Sequence, residues 1–221
     1  MKLQAGQPAR DFQVTDIHGN PVRLNDYAGK KLMLSFYRYA SCPLCNLRVH
    51  DLIRRQPDLR ARGLHMLAVF QSPGESIRQY VGKQLMPFPV VADPARSLYR
   101  LYGVEASWAG FGKAMLFKLP MVFEAVIGNG FLPGRMEGDK AMIPADFLIG
   151  PDLVVRNAFY GKDIGDHMPM RHPHAVERND MPHEIFQQLV QPLIGCGHDD
   201  CSFVRPADAR SSRIVQDGPR L

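Results

Sequence analysis

The chain is 221 residues long, 45% hydrophobic and 22% charged, with a formal net charge of +5. That size suits one globular domain with embellishments and buries enough surface to hold a core without covalent staples. Four cysteines are too few for a disulfide scaffold. The basic residues are scattered and no aromatic-rich basic module accompanies them, which argues against nucleic acid as a partner. No apolar run of signal-peptide or membrane-spanning length appears, so the expectation is a cytoplasmic protein without a membrane role.

In chain order, "DFQVTDIHGNPVRLNDYAGK" alternates on either side of His18-Gly19-Asn20-Pro21 and predicts an N-terminal β-hairpin. "KKLMLSFY" reads as a buried central strand. From Pro43 to about Arg62 the spacing of Leu44, Leu47, Leu52, Ile53 and Leu59 predicts a helix, with Pro57 expected to kink it or start a second one. "LHMLAVF" is a second buried strand and "SPGESIRQYVGKQL" a helix opened by Ser72-Pro73 with Glu75 in its first turn. "FPVVADP" is a short strand, and "SLYRLYGV" a short helix closed by Gly103.

"ADFLIGPDLVVRNAFYG" predicts two strands joined at Gly150-Pro151-Asp152, and "MPHEIFQQLVQPLI" a final helix bent by Pro192. This order predicts an α/β thioredoxin-like fold, a central mixed β-sheet flanked by helices. Residues 1–194 form that domain, with a helical insertion at 105–140 and an irregular C-terminal tail at 195–221. The insertion carries Trp108, Phe111, Met115, Phe117, Leu119, Met121, Val122 and Phe123. It is expected to be an extra helix packed on the core or at a dimer contact, the alternatives being a hydrophobic substrate site or a partner site.

The chemistry concentrates at "LSFYRYASCPLCNLRVHDL". If a strand ends near Tyr37 and a helix begins at Pro43, Cys42 stands at the helix N-terminus, where unpaired N–H groups favour a thiolate. Pro43 fits the first helical position, and Cys45 lies one turn on, on the same face. The pair then acts as an attacking and a resolving thiol. Arg38, Arg48 and His50 are candidate sources of positive potential. Zinc is the competing use: "CGHDDC" adds Cys196, His198 and Cys201 and would complete a four-ligand site. Cys196 and Cys201 also stand as a second redox pair, a further resolving thiol or bystanders. His167, His172, His174 and His183 crowd one Pro-rich stretch, as ordinary loop histidines or as metal ligands.

"FYRYASCPLCNLRVHDL", the entry "ARDFQVTDIHGNPVRLNDYAGKKLMLSF" and "PADFLIGPDLVVRNAFYGKDIGDH" resemble the peroxiredoxin-like branch of the alkyl hydroperoxide reductase/thiol-specific antioxidant (AhpC/TSA) family. The resemblance implies a thioredoxin fold and a thiol-based antioxidant or oxidoreductase activity; with Cys42 read as nucleophile and Cys45 as resolving thiol, no metal or organic cofactor is expected. It also implies a thioredoxin, glutaredoxin or low-molecular-weight thiol as reductant; a homodimer is an open possibility.

The family's PxxxTxxC pattern is altered, with Ser35 at the proline and Tyr39 at the threonine. Pro144 stands where an arginine that polarises the peroxide would precede the "ADFLIG" strand. A proline there is a thioredoxin feature, so Ile143-Pro144 is expected to be cis and to face the cysteines as substrate support, with Tyr39 and Arg38 beside it. Disulfide exchange is therefore the first expectation, with a hydroperoxide-reducing peroxidase acting through Cys42 as the alternative. A non-enzymatic redox or metal sensor is the second alternative.

Overall fold

In a computed structural model the described residues are 1–170 apart from Lys118, with backbone alone for 113–119. The boundary expected at residue 194, the final helix, and His172, His174, His183, Cys196, His198 and Cys201 lie outside them.

Five strands form one mixed sheet in the order β5-β4-β3-β6-β7: β3 Lys31–Phe36, β4 Leu64–Phe70, β5 Val90–Ala92, β6 Ala145–Ile149 and β7 Val155–Tyr160. β3 runs parallel to β4 and β4 to β5, while β6 is antiparallel to both β3 and β7. Parallel neighbours need crossover connections. They are supplied by helix α1, Pro43–Ala61, and by α2, Gly74–Tyr80, which is followed by a 3-10 turn. The predicted hairpin is present as β1, Gln13–Thr15, and β2, Pro21–Arg23, and it leans on β5 through Ile17 N–H to the Val90 carbonyl, 2.9 Å.

Every residue of β6 is buried, as are all but the first of β3. Such continuous apolar runs belong to strands covered on both faces. Within a largely aliphatic core lies an aromatic cluster. Phe147 meets Phe36, Tyr102 and Tyr160 edge-on at 5.8, 5.1 and 5.3 Å. Helix α3, Ser97–Tyr102, supplies Tyr99 and Tyr102 and ends at Gly103, whose φ of +67° is costly for residues with a Cβ.

Helix α1 runs unbroken through Pro57, in place of the kink or second helix expected there. Pro57 lies on the exposed face, where solvent can satisfy the carbonyl that its missing N–H leaves free. The insertion forms helices α4, Trp108–Phe117, and α5, Leu119–Phe123, then a π-helical turn, Glu124–Gly128, and an irregular segment, 129–140. Its apolar content is divided rather than wholly packed inward: Phe111 is half-buried, but Trp108 is 69% and Phe123 67% exposed. Among the described residues no helix is long and apolar enough to cross a membrane.

Truncating Phe147 to Ala removes the ring that three others close upon. The expected loss is roughly 3–5 kcal/mol of unfolding free energy in denaturant titration. A loss below about 1 kcal/mol would show that this aromatic cluster is not the mechanical centre of the core.

Candidate active site

β3 stops at Phe36, and the loop 37–42 delivers the chain to α1. Cys42 is the N-cap of α1 and Pro43 occupies its first turn; the Cys42 carbonyl accepts the first helical bond from Asn46 N–H at 3.0 Å. The loop is fixed by its own backbone and by side chains on either side of it. Cys42 N–H donates to the Tyr39 carbonyl at 3.1 Å, Ala40 N–H to Ser72 Oγ at 2.8 Å, and the Asn46 side-chain amide to the Ala40 carbonyl at 2.7 Å. Both thiols are free, and each is 1% exposed.

The two thiols are electrostatically unequal. Cys42 is held well below the ordinary thiol value. A hydrogen bond from the Cys45 thiol is the largest cause; Arg38 adds its charge, and together they outweigh the opposing effect of burial. Burial pushes Cys45 up, and its bond to Cys42 and the charge of that thiolate push it further. Arg38 Nη1 lies 3.5 Å from Cys42 Sγ, and the guanidinium is sandwiched near the rings of Tyr39, 4.9 Å, and Phe111, 5.6 Å. Its Nη2 donates to the Lys140 carbonyl, and its Nε has no partner among the described residues. Burial beside the thiolate raises the Tyr39 hydroxyl to about 12, so it keeps its proton at neutral pH.

Of the candidate cations only Arg38 serves the thiol. Arg48 instead donates to the Met168 carbonyl at 2.7 Å, and His50 packs on the Phe131 ring at 5.9 Å. Pro144 is buried one residue beyond the Phe36–Ala145 pair, close to where the cysteine loop begins. The Ile143-Pro144 bond is trans, and the expectation of a cis bond is corrected; no cis bond occurs among the described residues. Ile143 N–H bonds to the Glu105 carbonyl, and the Pro144 carbonyl accepts from Gly161 N–H at 2.9 Å. The chain therefore enters β6 already extended, with no reversal for a cis bond to make.

A second polar cluster is formed by Ser35 and Asp146, directly opposed on β3 and β6. Asp146 is fully buried. It accepts from Met168 N–H at 2.7 Å and pairs with His167 Nδ1 at 3.1 Å, while the His167 ring lies 5.0 Å from that of Tyr37. So His167, a candidate metal ligand by sequence, is engaged with a carboxylate. Among the described residues no three His, Cys, Asp or Glu side chains converge as a metal site. Neither Asp146 nor the packing of Phe111 over Arg38 was legible beforehand. A buried Asp in "ADFLIG" was the one available signal, since an unpaired carboxylate is rarely buried.

Comparison with known proteins bears on the family and the fold. The sequence model of the AhpC/TSA family matches residues 5–158. A putative peroxiredoxin of Mycobacterium tuberculosis is 28% identical over 114 residues, 52% of this chain and 73% of that protein. Peroxiredoxin Bcp of Escherichia coli is 26% identical over 111 residues, 50% and 71% of the two chains. The thiol-disulfide oxidoreductase ResA of Bacillus anthracis is 27% identical over 129 residues, 58% and 72%. Among solved structures, peroxidoxin BcpB from Mycobacterium tuberculosis superposes with a TM-score of 0.53 at 16% identity, covering 72% of this chain and 86% of that one. A peroxiredoxin Q variant of Xanthomonas campestris gives 0.52 at 20% identity, covering 72% and 88%. At those identities the structural likeness establishes the thioredoxin-like fold.

The buried carboxylate has a pH signature. Burial raises the Asp146 value, but the charge and hydrogen bond of His167 and the charge of Arg48 prevail and lower it to about 2. A carboxylate lowered in the native state adds stability that is complete above its unfolded value, about 3.9, and is lost as pH falls toward the native value. Asp146→Asn should therefore flatten the fall in unfolding free energy across that acid window. An unchanged acid slope would show that the Asp146–His167 pair does not contribute.

Proposed function

The chain belongs to the AhpC/TSA family and is a thiol oxidoreductase, and from that premise we propose that Cys42 is its nucleophile and Cys45 its resolving thiol. One observation carries the assignment: Cys42 caps the helix with Arg38 Nη1 3.5 Å from its sulfur, a setting that lowers its pKa while burial raises that of Cys45. The thiolate is the attacking form, and the neighbouring thiol keeps the proton it must release later.

Cys42 is almost fully buried. A small oxidant fits that setting better than the disulfide of a folded protein, and this favours hydroperoxide reduction as the principal reaction. The Cys42 thiolate attacks one peroxide oxygen, the O–O bond breaks, and the leaving oxygen departs as an alcohol or water after taking a proton. Cys42 is then a sulfenic acid. The Cys45 sulfur displaces its hydroxyl, water leaves with the Cys45 proton, and a Cys42–Cys45 disulfide remains. A dithiol protein such as thioredoxin or glutaredoxin, or two low-molecular-weight thiols, returns the two electrons. Such a cycle suits a reducing compartment like the cytoplasm.

Arg38 takes the place of the arginine that Pro144 displaces. Its charge faces the sulfur through Nη1, where it would also stabilise negative charge that develops on the leaving oxygen. Tyr39 stands in the threonine position and braces the guanidinium through its ring. Pro144 supports the site as part of its wall, without a cis bond. Disulfide exchange through the same dithiol is the second reading; the CxxC pair itself favours it, and it requires the site to open.

Rapid-mixing measurements of peroxide consumption separate the roles. Cys42→Ser should abolish the reaction, and Cys45→Ser should keep the first oxidation but lose the bridge. Arg38→Met should slow the first oxidation by about 10²–10³-fold, the usual effect of deleting a donor at developing charge. Rapid peroxide reduction that survives Arg38→Met would overturn the role of Arg38, and a wild type that reacts only with disulfides would overturn the peroxidase reading.

A further inference from the structure

The irregular end of the insertion, residues 131–140, lies over the cysteine loop and is held there by side chains from five different parts of the fold. Ser41 Oγ donates to the Arg135 carbonyl at 2.7 Å, directly beside Cys42. Ser76 of α2 donates to Glu137 at 2.6 Å, and the His50 ring of α1 meets that of Phe131. Asp139 is the most heavily anchored residue. Its carboxylate accepts from Arg96 at 3.2 Å and from Ala141 N–H at 3.0 Å. Its backbone makes two bonds to one side chain, Gln71: Asp139 N–H to Oε1 at 2.9 Å, and Nε2 to the Asp139 carbonyl at 2.8 Å.

Gln71 follows β4 and is 1% exposed. Its own backbone N–H donates to the Arg38 carbonyl at 3.2 Å. The residue after its strap partner is Lys140, whose carbonyl receives Arg38 Nη2. Gln71 therefore holds the main chain of Arg38 with one group and, through Asp139, the acceptor of the Arg38 guanidinium with another. A long flexible side chain has many orientations. Here a carbonyl fixed from across the fold selects the one that puts Nη1 on Cys42 Sγ. Gly138 completes the fit. Its φ is +67°, and a Cβ there would stand 2.6 Å from Gln71 Oε1.

We propose that Gln71 is a positioning residue, which clamps the 131–140 strap so that Lys140 orients Arg38 on Cys42 and so that only small molecules reach the thiolate. The proposal rests on the assignment of Cys42 as nucleophile. It makes two properties, thiolate stability and oxidant size, depend on one side chain that touches neither sulfur nor substrate.

Gln71→Met keeps the volume and removes both strap bonds. Thiolate formation is followed by ultraviolet absorbance as the difference between each protein and its Cys42→Ser counterpart, and Cys42 alkylation is timed with iodoacetamide and with a polymer-linked maleimide. Gln71→Met should raise the Cys42 titration midpoint by about one pH unit, a tenfold fall in thiolate at low pH. It should also raise the rate ratio of the bulky to the small reagent about tenfold on the same scale. Gly138→Ala, which displaces Gln71 from the strap side, should do the same and decides the matter if Gln71→Met fails to fold. Ser76→Ala, which loosens the strap away from Lys140, should leave the midpoint in place. Folded Gln71→Met or Gly138→Ala protein with the wild-type midpoint and rate ratio would overturn the proposal. A wild-type midpoint at the ordinary thiol value of about 8.5 would instead overturn the assignment of Cys42.

Discussion

Cys42 and Arg38 are both withdrawn from water, 1% and 2% exposed, and each offsets the burial of the other. An isolated buried charge is costly enough that the group normally changes its protonation instead. The guanidinium cannot release its proton, so it remains a fixed cation and holds the sulfur as its anion. The rest of the site follows from that constraint. The helix N-terminus and the Cys45 thiol stabilise the anion from one side, and the Tyr39 and Phe111 rings and the Lys140 carbonyl hold the cation from the other.

The departures from the family pattern are coherent in this light. Ser35, at the proline position, opposes Asp146 and belongs to the polar cluster between β3 and β6. Tyr39, at the threonine position, contributes a ring face to Arg38 rather than a hydroxyl to the sulfur. Pro144, at the arginine position, leaves the cation to be supplied from the cysteine loop itself. On the proposed assignment, one arginine four residues before the nucleophile does work that a distant strand would otherwise do.

The elements read from the sequence were those governed by local rules: the hairpin at Gly19, the apolar strands, α1 opening at Pro43, and α3 closing at Gly103. The cysteine pair was legible because its meaning depends on a helix start, which proline marks. What stayed hidden depends on contacts far apart in the chain. Arg38 meets Lys140 across 102 residues and Gln71 meets Asp139 across 68. No periodicity connects such positions, and the insertion between them looked like extra core. The cis expectation at Pro144 failed for a related reason: residue type permits a cis bond, but the path of the chain, set here by Glu105 and Gly161, decides whether one is used.

The central claim is that Cys42 and Cys45 complete a redox cycle within one helix turn. Anaerobic reaction of the fully reduced chain with a single equivalent of hydroperoxide, followed by acid quench and mass mapping, tests it directly. The account predicts a loss of two hydrogens located between Cys42 and Cys45. A bridge from Cys42 to Cys196 or Cys201, or oxidation that spares Cys42, would contradict it.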